Sequence, residues 1–253
     1  HSPAEEYVCT IFCFLSGVNF TLLYTSVAGF KFKQLFRNSE FKFYTTMIAA
    51  FTVFIMLELI FQCNYEVEHA FRSSVFQVVS FITTTGLYSD DAAKWPHVTW
   101  VVLAACMFFG GSSGSTSGGI KSIRGVMLLK VVKNEFRQIL HPNAVLPMKI
   151  DGYNVQMSKR VTLLGFIGLY LFLAVICAFT MIAAGIDSTN SMTITLSCLG
   201  NVGPTLGLEI GPTMSWNELP DFAKWISSFL MLVGRLELFS VLVLFTPSFW
   251  KEN

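Results

Sequence analysis

SFITTTGLYSDD, residues 80–91, sets three consecutive threonines (Thr83, Thr84, Thr85) against Gly86 and then two carboxylates, Asp90 and Asp91, between long apolar runs. A β-branched triplet loses rotamer freedom in a helix and glycine tolerates positive φ, so a helix is predicted to end here in a short extended segment. At bilayer depth such backbone survives only where it is buried in protein or lines a watery cavity. Successive carbonyls facing a cavity can replace the water around a cation. The competing reading is an ordinary Thr-rich turn between two helices.

The surrounding composition favours the bilayer. Hydrophobic residues make up 53% of the 253, charged residues only 13%, and the mean hydropathy is +0.58, too apolar for an average soluble domain. A net charge of +1 argues against nucleic acid as a partner. The six cysteines (Cys9, Cys13, Cys63, Cys106, Cys177, Cys198) form no Cys-x-x-Cys pair and have no histidine at zinc spacing, so they read as small buried side chains. His1, His69, His97 and His141 do not cluster and no nucleophile stands beside a base; no catalytic set is found, so no enzyme is expected and no cofactor beyond a transported cation. No signal-peptide pattern precedes the first apolar run, and the chain reads as cut from something longer.

About 20 apolar residues cross a bilayer as a helix. Tyr7 to Phe30, Phe43 to Cys63, Val161 to Ala184 and Phe222 to Phe245 meet that length. Pro96 to Gly110, about 22 Å at helical rise, runs into GGSSGSTSGG and a basic half, Ile120 to Lys133, so five crossings are expected. Two further segments, Glu66 to Asp91 and Asp187 to Asp221, are too long for tight turns and apolar in their first halves. Each reads as a short helix dipping into the membrane and breaking at glycines, in TTTG or in LGNVGPTLG. Gly86 and Gly203 stand 117 residues apart, an internal repeat.

If the first span runs inward, residues 31–42, 120–160 and the C-terminus are cytoplasmic and hold 13 of the 17 Lys and Arg residues. Ten of the 16 acids then face outward, beside both glycine-broken loops, where negative potential concentrates cations. The two repeats enter with the same polarity, which favours like units around a pore axis over an inverted-repeat transporter.

Three motifs need weighing. Gly200-Asn201-Val202-Gly203-Pro204 could be a surface turn, but its place in the repeat matches TTTG. GGSSGSTSGGIK, residues 110–121, lacks the Gly-Lys-Ser/Thr of a phosphate-binding loop. Its depth at the end of a half-span makes it a cavity-lining loop and a movable plug, against the alternative of a flexible linker. Arg235, about 21 Å along the last helix from Asp221, costs at least about 2.5 kcal/mol near mid-bilayer. It therefore faces a wet cavity as an electrostatic barrier, or else pairs with Glu237 or Glu58 or snorkels inward with no role in transport. Glu58 near a span end and the lone Asn19 read as structural, Asn19 as a helix-packing hydrogen bonder.

SFITTTGLYSDD, FFGGSSGSTSGGIKSIR, HPNAVLPMKIDGYNV, LSCLGNVGPTLG and VGRLELFSVLVLFTPSFW together resemble, in order, the second half of the Trk-type membrane subunits of bacterial potassium uptake, within the Trk/Ktr/HKT superfamily. The resemblance implies an all-α, multi-pass protein of the bacterial cytoplasmic membrane built from repeated helix–pore loop–helix units. Here these are two full repeats plus one preceding helix: residues 1–30 as the last helix of a preceding repeat, 41–134 as the third repeat, 135–159 as a cytoplasmic linker and 160–253 as the fourth. It further implies a potassium filter from Thr83, Thr84, Thr85 and Gly86 with Gly200, Asn201, Val202 and Gly203, the ion lying at Thr84, Thr85, Asn201 and Val202. The gate would be Gly110, Gly111, Gly114, Ser115, Thr116, Gly118 and Gly119, faced by Arg235. Implied partners are potassium, lipid, a second copy in a homodimer, and a cytosolic nucleotide-binding (TrkA-like) regulatory subunit docking on residues 121–160. The alternative is a non-conducting membrane anchor for such a regulator. The superfamily's first filter loop, which distinguishes sodium from potassium, has no counterpart in these residues.

Overall fold

A computed structural model describes residues 2–30, 32–143, 146–206, 216–236 and 238–250. Helix α1 (Pro3–Ser16) opens with a capping box in which Ser2 Oγ accepts the Glu5 amide and the Glu5 carboxylate accepts the Ser2 amide, with Pro3 at the first helical position. The first apolar run is not one straight span. It breaks after Ser16, and α2 (Phe20–Ala28) leaves at 101°. Gly17 fits the break because a Cβ there would lie 2.4 Å from the Tyr44 hydroxyl and 2.8 Å from Thr83 Cγ2. Asn19 restarts the helix as its N-cap, accepting the Leu22 amide. Asn19 is thus a cap inside an apolar run, in addition to the hydrogen bonder expected.

After α3 (Phe32–Arg37) comes α4 (Ser39–Cys63), among the described residues one of two helices long and apolar enough to cross a membrane unbroken. It buries Tyr44, Ile48, Thr52, Ile55 and Leu59, a stripe at helical spacing, and leaves Val53, Phe54, Leu57 and Phe61 exposed. Packed on that stripe is α5 (Val67–Ile82), at 16 residues too short to span and buried on all sides from Phe76 to Ile82. Next come α6 (His97–Phe108) and, beyond an irregular loop, α7 (Ser122–Leu140). A two-stranded hairpin, β1 (Lys149–Ile150) and β2 (Tyr153–Asn154), turns through Asp151 and Gly152, both at positive φ as a two-residue turn of this hand requires.

The second unbroken crossing helix, α8 (Met157–Ala183), repeats the role of α4. The short α9 (Ser188–Gly200), capped by Asp187, repeats that of α5. The last apolar run also departs from the single span expected: α10 (Asp221–Arg235) and the segment Leu238–Phe245, which begins with α11 (Leu238–Leu242), diverge by 116°. Among the described residues, two helices are thus long and apolar enough to cross, or up to four spans if each bent pair counts as one, plus the interrupted α6–α7 run.

Two apolar cores result, one around α5 and one around α9. The first also takes in Val202 and Leu206 from the second repeat, and the second takes in Ile120. All six cysteines are free; Cys13, Cys106, Cys177 and Cys198 are buried as expected, whereas Cys9 is exposed and Cys63 half-buried.

Candidate functional site

The ends of α5 and α9 are built alike. Thr84 donates its amide to Phe81 O (3.2 Å) and Thr85 to Ser80 O (2.9 Å); Asn201 donates to Cys198 O (3.2 Å) and Val202 to Ser197 O (2.9 Å). These paired bonds, around a left-handed residue at Thr84 (φ 54) and at Asn201 (φ 56), are Schellman closures. Each is followed two residues later by a positive-φ glycine, Gly86 (φ 74) and Gly203 (φ 109). All these positions correspond under the same 117-residue offset. The extended segment expected at Thr83–Gly86 is therefore corrected to a tight left-handed reversal: Thr83 is still near-helical at φ −81, ψ −2.

A left-handed conformation is ordinary for asparagine and strained for a β-branched threonine. Thr84 is held there by a long-range bond, its Oγ1 accepting the Gly118 amide at 2.8 Å. The serine at the matching place in each repeat fastens its loop: Ser197 Oγ accepts the Gly203 amide (3.0 Å) and Ser80 Oγ donates to Leu87 O.

The two loops touch. A Cβ on Gly86 would lie 2.2 Å from Val202 O and 3.2 Å from Pro204 Cδ. Among the described residues, none donates a hydrogen bond to the carbonyl oxygens of Thr83, Thr84, Thr85, Gly86, Gly200, Asn201, Val202 or Gly203. Thr85 and Gly203 are exposed and Thr84, Gly86 and Asn201 half-buried, so carbonyls here can take water or another ligand in place of a protein donor.

Beneath both lies the glycine-serine loop, an anchored structure and not a slack linker. Its ends are closed by Gly110 N to Ile120 O (2.6 Å), Ile120 N to Phe108 O (3.1 Å) and Ser122 N to Gly111 O (2.9 Å). The break in the first run supports its middle: Ser112 donates to Gly17 O (2.8 Å) and Asn19 Nδ2 to Ser113 O (2.5 Å). Ser115 Oγ donates to Ser112 O (2.6 Å). Gly114 and Gly119 take positive φ, at 77° and 65°. Gly118 lies so close beneath α9 that a Cβ would sit 2.4 Å from Gly200 O. Arg235, at the end of α10, donates from Nη1 to Thr116 O at 3.1 Å. Of the two acidic partners expected for it, Glu58 instead accepts from Gln62 in its own helix, and Glu237 lies outside the described residues.

Beyond the first of these loops, Asp90 is a built part of the fold. It accepts Tyr65 Oη (3.2 Å), Trp95 Nε1 (3.3 Å) and, through Oδ1, the Asp91 amide (2.8 Å). Burial, and then the Asp90 charge, push the Tyr65 phenol up to about 12. Sequence reading passes over two features of this site. Gly17 with Asn19 carries a readable helix-break and cap signal. Glu40, whose carboxylate reaches Ser113 and Ile123, looks in sequence like any acid in a first helical turn.

The chain matches the TrkH family model, described as a cation transport protein, over residues 2–252. It is 34% identical to the Trk system potassium uptake protein TrkH of Halomonas elongata over 251 residues, covering 99% of this chain and 52% of that protein. To the TrkH of Escherichia coli K12 it is 35% identical over 252 residues, with the same coverage. The crystal structure of the potassium transporter TrkH from Vibrio parahaemolyticus superposes with a TM-score of 0.92 at 32% identity, over 99% of this chain and 53% of that one. The chain spans about half the length of the curated relatives it matches.

Proposed function

The chain belongs to the TrkH family of cation transport proteins, a family of multi-pass membrane proteins and not of enzymes, and from that premise we propose that it supplies part of a potassium pathway. In this reading Thr83–Gly86 and Gly200–Gly203 are two walls of a filter whose carbonyls replace the ion's water, with potassium at Thr84, Thr85, Asn201 and Val202. Residues 41–134 and 160–253 are the two pore-loop repeats, 1–30 ends a preceding repeat, and 135–159 is the cytoplasmic linker. The loop Gly110–Gly119 gates from below, and Arg235 adds a positive barrier beside it. The observation that carries the reading is the meeting of two identically closed loops, Gly86 against Val202 O, with no described donor on any of their carbonyls.

Potassium is the cargo; the names of its relatives, potassium uptake proteins, support the choice of ion. A homodimer and a cytosolic nucleotide-binding regulator remain part of the proposal, the regulator meeting the basic inner surface from 121 to 160.

The test is rubidium uptake in cells lacking other potassium systems, with the protein expressed from its complete gene. Gly203 sits at φ 109, and a Cβ there would have nothing within 4 Å, so Gly203→Asp sets a carboxylate into the open space at the loop. Uptake per copy is expected to collapse while membrane abundance holds. Uptake equal to the unsubstituted protein would overturn the filter assignment, and absence of any uptake by the unsubstituted protein would favour the non-conducting anchor.

A further inference from the structure

Glu40 is a carboxylate only 5% exposed, at the second position of α4, and it collects three donors. Oε1 accepts the amides of Ser113 (2.5 Å) and Ile123 (3.1 Å), and Oε2 accepts Ser113 Oγ (2.9 Å). The first turn of α7 has no side-chain cap from Lys121, its own N-cap residue. Glu40 therefore satisfies one of the unpaired amides of α7 from another helix. It also stands within the first turn of α4, so two helix N-termini favour its negative charge. Lys121 holds the other side of the loop by donating Nζ to Ser117 O at 2.8 Å.

The same turn of α4 is gripped from the cytoplasmic side. Asp151, in the hairpin turn, accepts the Ser39 amide (2.9 Å) and Ser39 Oγ (2.5 Å) on Oδ1 and Asn38 Nδ2 (3.2 Å) on Oδ2. Lys130 Nζ donates to Lys149 O (2.6 Å), fastening the hairpin to α7 as well. Hairpin, helix start and glycine loop thus form one continuous hydrogen-bonded path from the cytoplasmic surface to the loop under the filter.

We propose that the first turn of α4 is the transmission element of the gate, with Glu40 the positioning residue that pins the glycine loop and Asp151 the contact through which the cytoplasmic hairpin pulls on that pin. The inference rests on the gate reading of residues 110–119, and its test separates the two. Charge-assisted bonds are about twice as strong as neutral ones, and Glu40→Gln replaces an acceptor oxygen with an NH2 that faces donors, at nearly the same shape. Releasing the pin exposes the loop to the cytoplasmic side without requiring α4 to unfold.

Ser115→Cys in the full-length protein reports loop exposure as the rate of modification by a charged methanethiosulfonate reagent applied from the cytoplasmic side, corrected for the protein without that cysteine. Glu40→Gln is expected to raise the rate roughly tenfold, equivalent to about 1.4 kcal/mol, and Glu40→Asp, which keeps the charge, to raise it less. Asp151→Asn is expected to act in the same direction, and the double variant to give no more than Glu40→Gln alone, as sites in one network do. An unchanged rate in Glu40→Gln, with or without a fall in melting temperature, overturns the pin. Strictly additive effects of Glu40→Gln and Asp151→Asn overturn the link to the hairpin. A raised labelling rate with unchanged rubidium uptake upholds the pin and overturns the gate reading instead.

Discussion

Replacing Gly86 with alanine tests the contact between the two loops directly. At φ 74 an L-residue pays roughly 1–2 kcal/mol of backbone strain. The larger effect is steric: the new Cβ would lie 2.2 Å from Val202 O, where real Cβ atoms essentially never come under 3.0 Å. The obstacle is backbone, so it cannot swing aside like a side chain; one loop must move against the other. In the proposed pathway a carbonyl displaced on that scale would hold its ion less well, and a loss of about 1.4 kcal/mol in ion stabilisation already lowers occupancy tenfold. Rubidium uptake per membrane copy, with abundance measured by fluorescence-detected size exclusion, is expected to fall at least about tenfold. Gly185→Ala is the control, since Gly185 has φ 92 and nothing within 4 Å; it carries comparable strain away from both loops and should stay within about twofold. If Gly86→Ala transports like the unsubstituted protein, or if both variants lose the same share of uptake, the reasoning from loop contact to ion pathway fails.

Arg235→Ala removes the bond to Thr116 O and a positive charge beside the loop; uptake per copy is expected to rise about two- to tenfold, the worth of one hydrogen bond of roughly 0.5–1.5 kcal/mol, and an unchanged rate would count against a barrier. Ser197→Ala deprives the Gly203 amide of its acceptor, at about 0.5–1.5 kcal/mol for a lost hydrogen bond at an exposed residue. Both a lower melting temperature and reduced uptake are expected, and Ser80→Ala should follow it because the two serines occupy the same place in the repeat; full uptake in both would show that the serine fastenings are dispensable.

What can be read from the residues, and what cannot, divides by the range of the interactions involved. The repeat is legible because Gly86 and Gly203 permit the positive φ at which a helix reverses, and the short apolar runs before them are legible as buried helices too short to cross. The form of the reversal is not. Threonine at Thr84 disfavours the left-handed region on every local count, and the Gly118 amide that holds it there comes from 34 residues away. The break at Gly17 escapes a count of apolar residues because such a count measures the length of a run and not its direction; the capping chemistry of Asn19 is the local sign that the helix restarts. Glu40 gives no sign at all, since its donors lie 73 and 83 residues distant and only tertiary packing buries it.

Gly118 joins the two parts that sequence reading keeps separate. Its amide fixes Thr84 in the first loop, and its bare Cα passes beneath Gly200 O of the second, where a Cβ would lie 2.4 Å away. In the proposed gating, displacing the glycine loop would therefore withdraw the donor that offsets the strain at Thr84, and Thr84 is one of the residues whose carbonyl would meet the ion. A loop that only blocked the path from below could be displaced with the filter unchanged. One that also supplies a bond to the first loop would alter that loop as it moved, so in the proposed pathway opening and ion coordination would be coupled through Gly118.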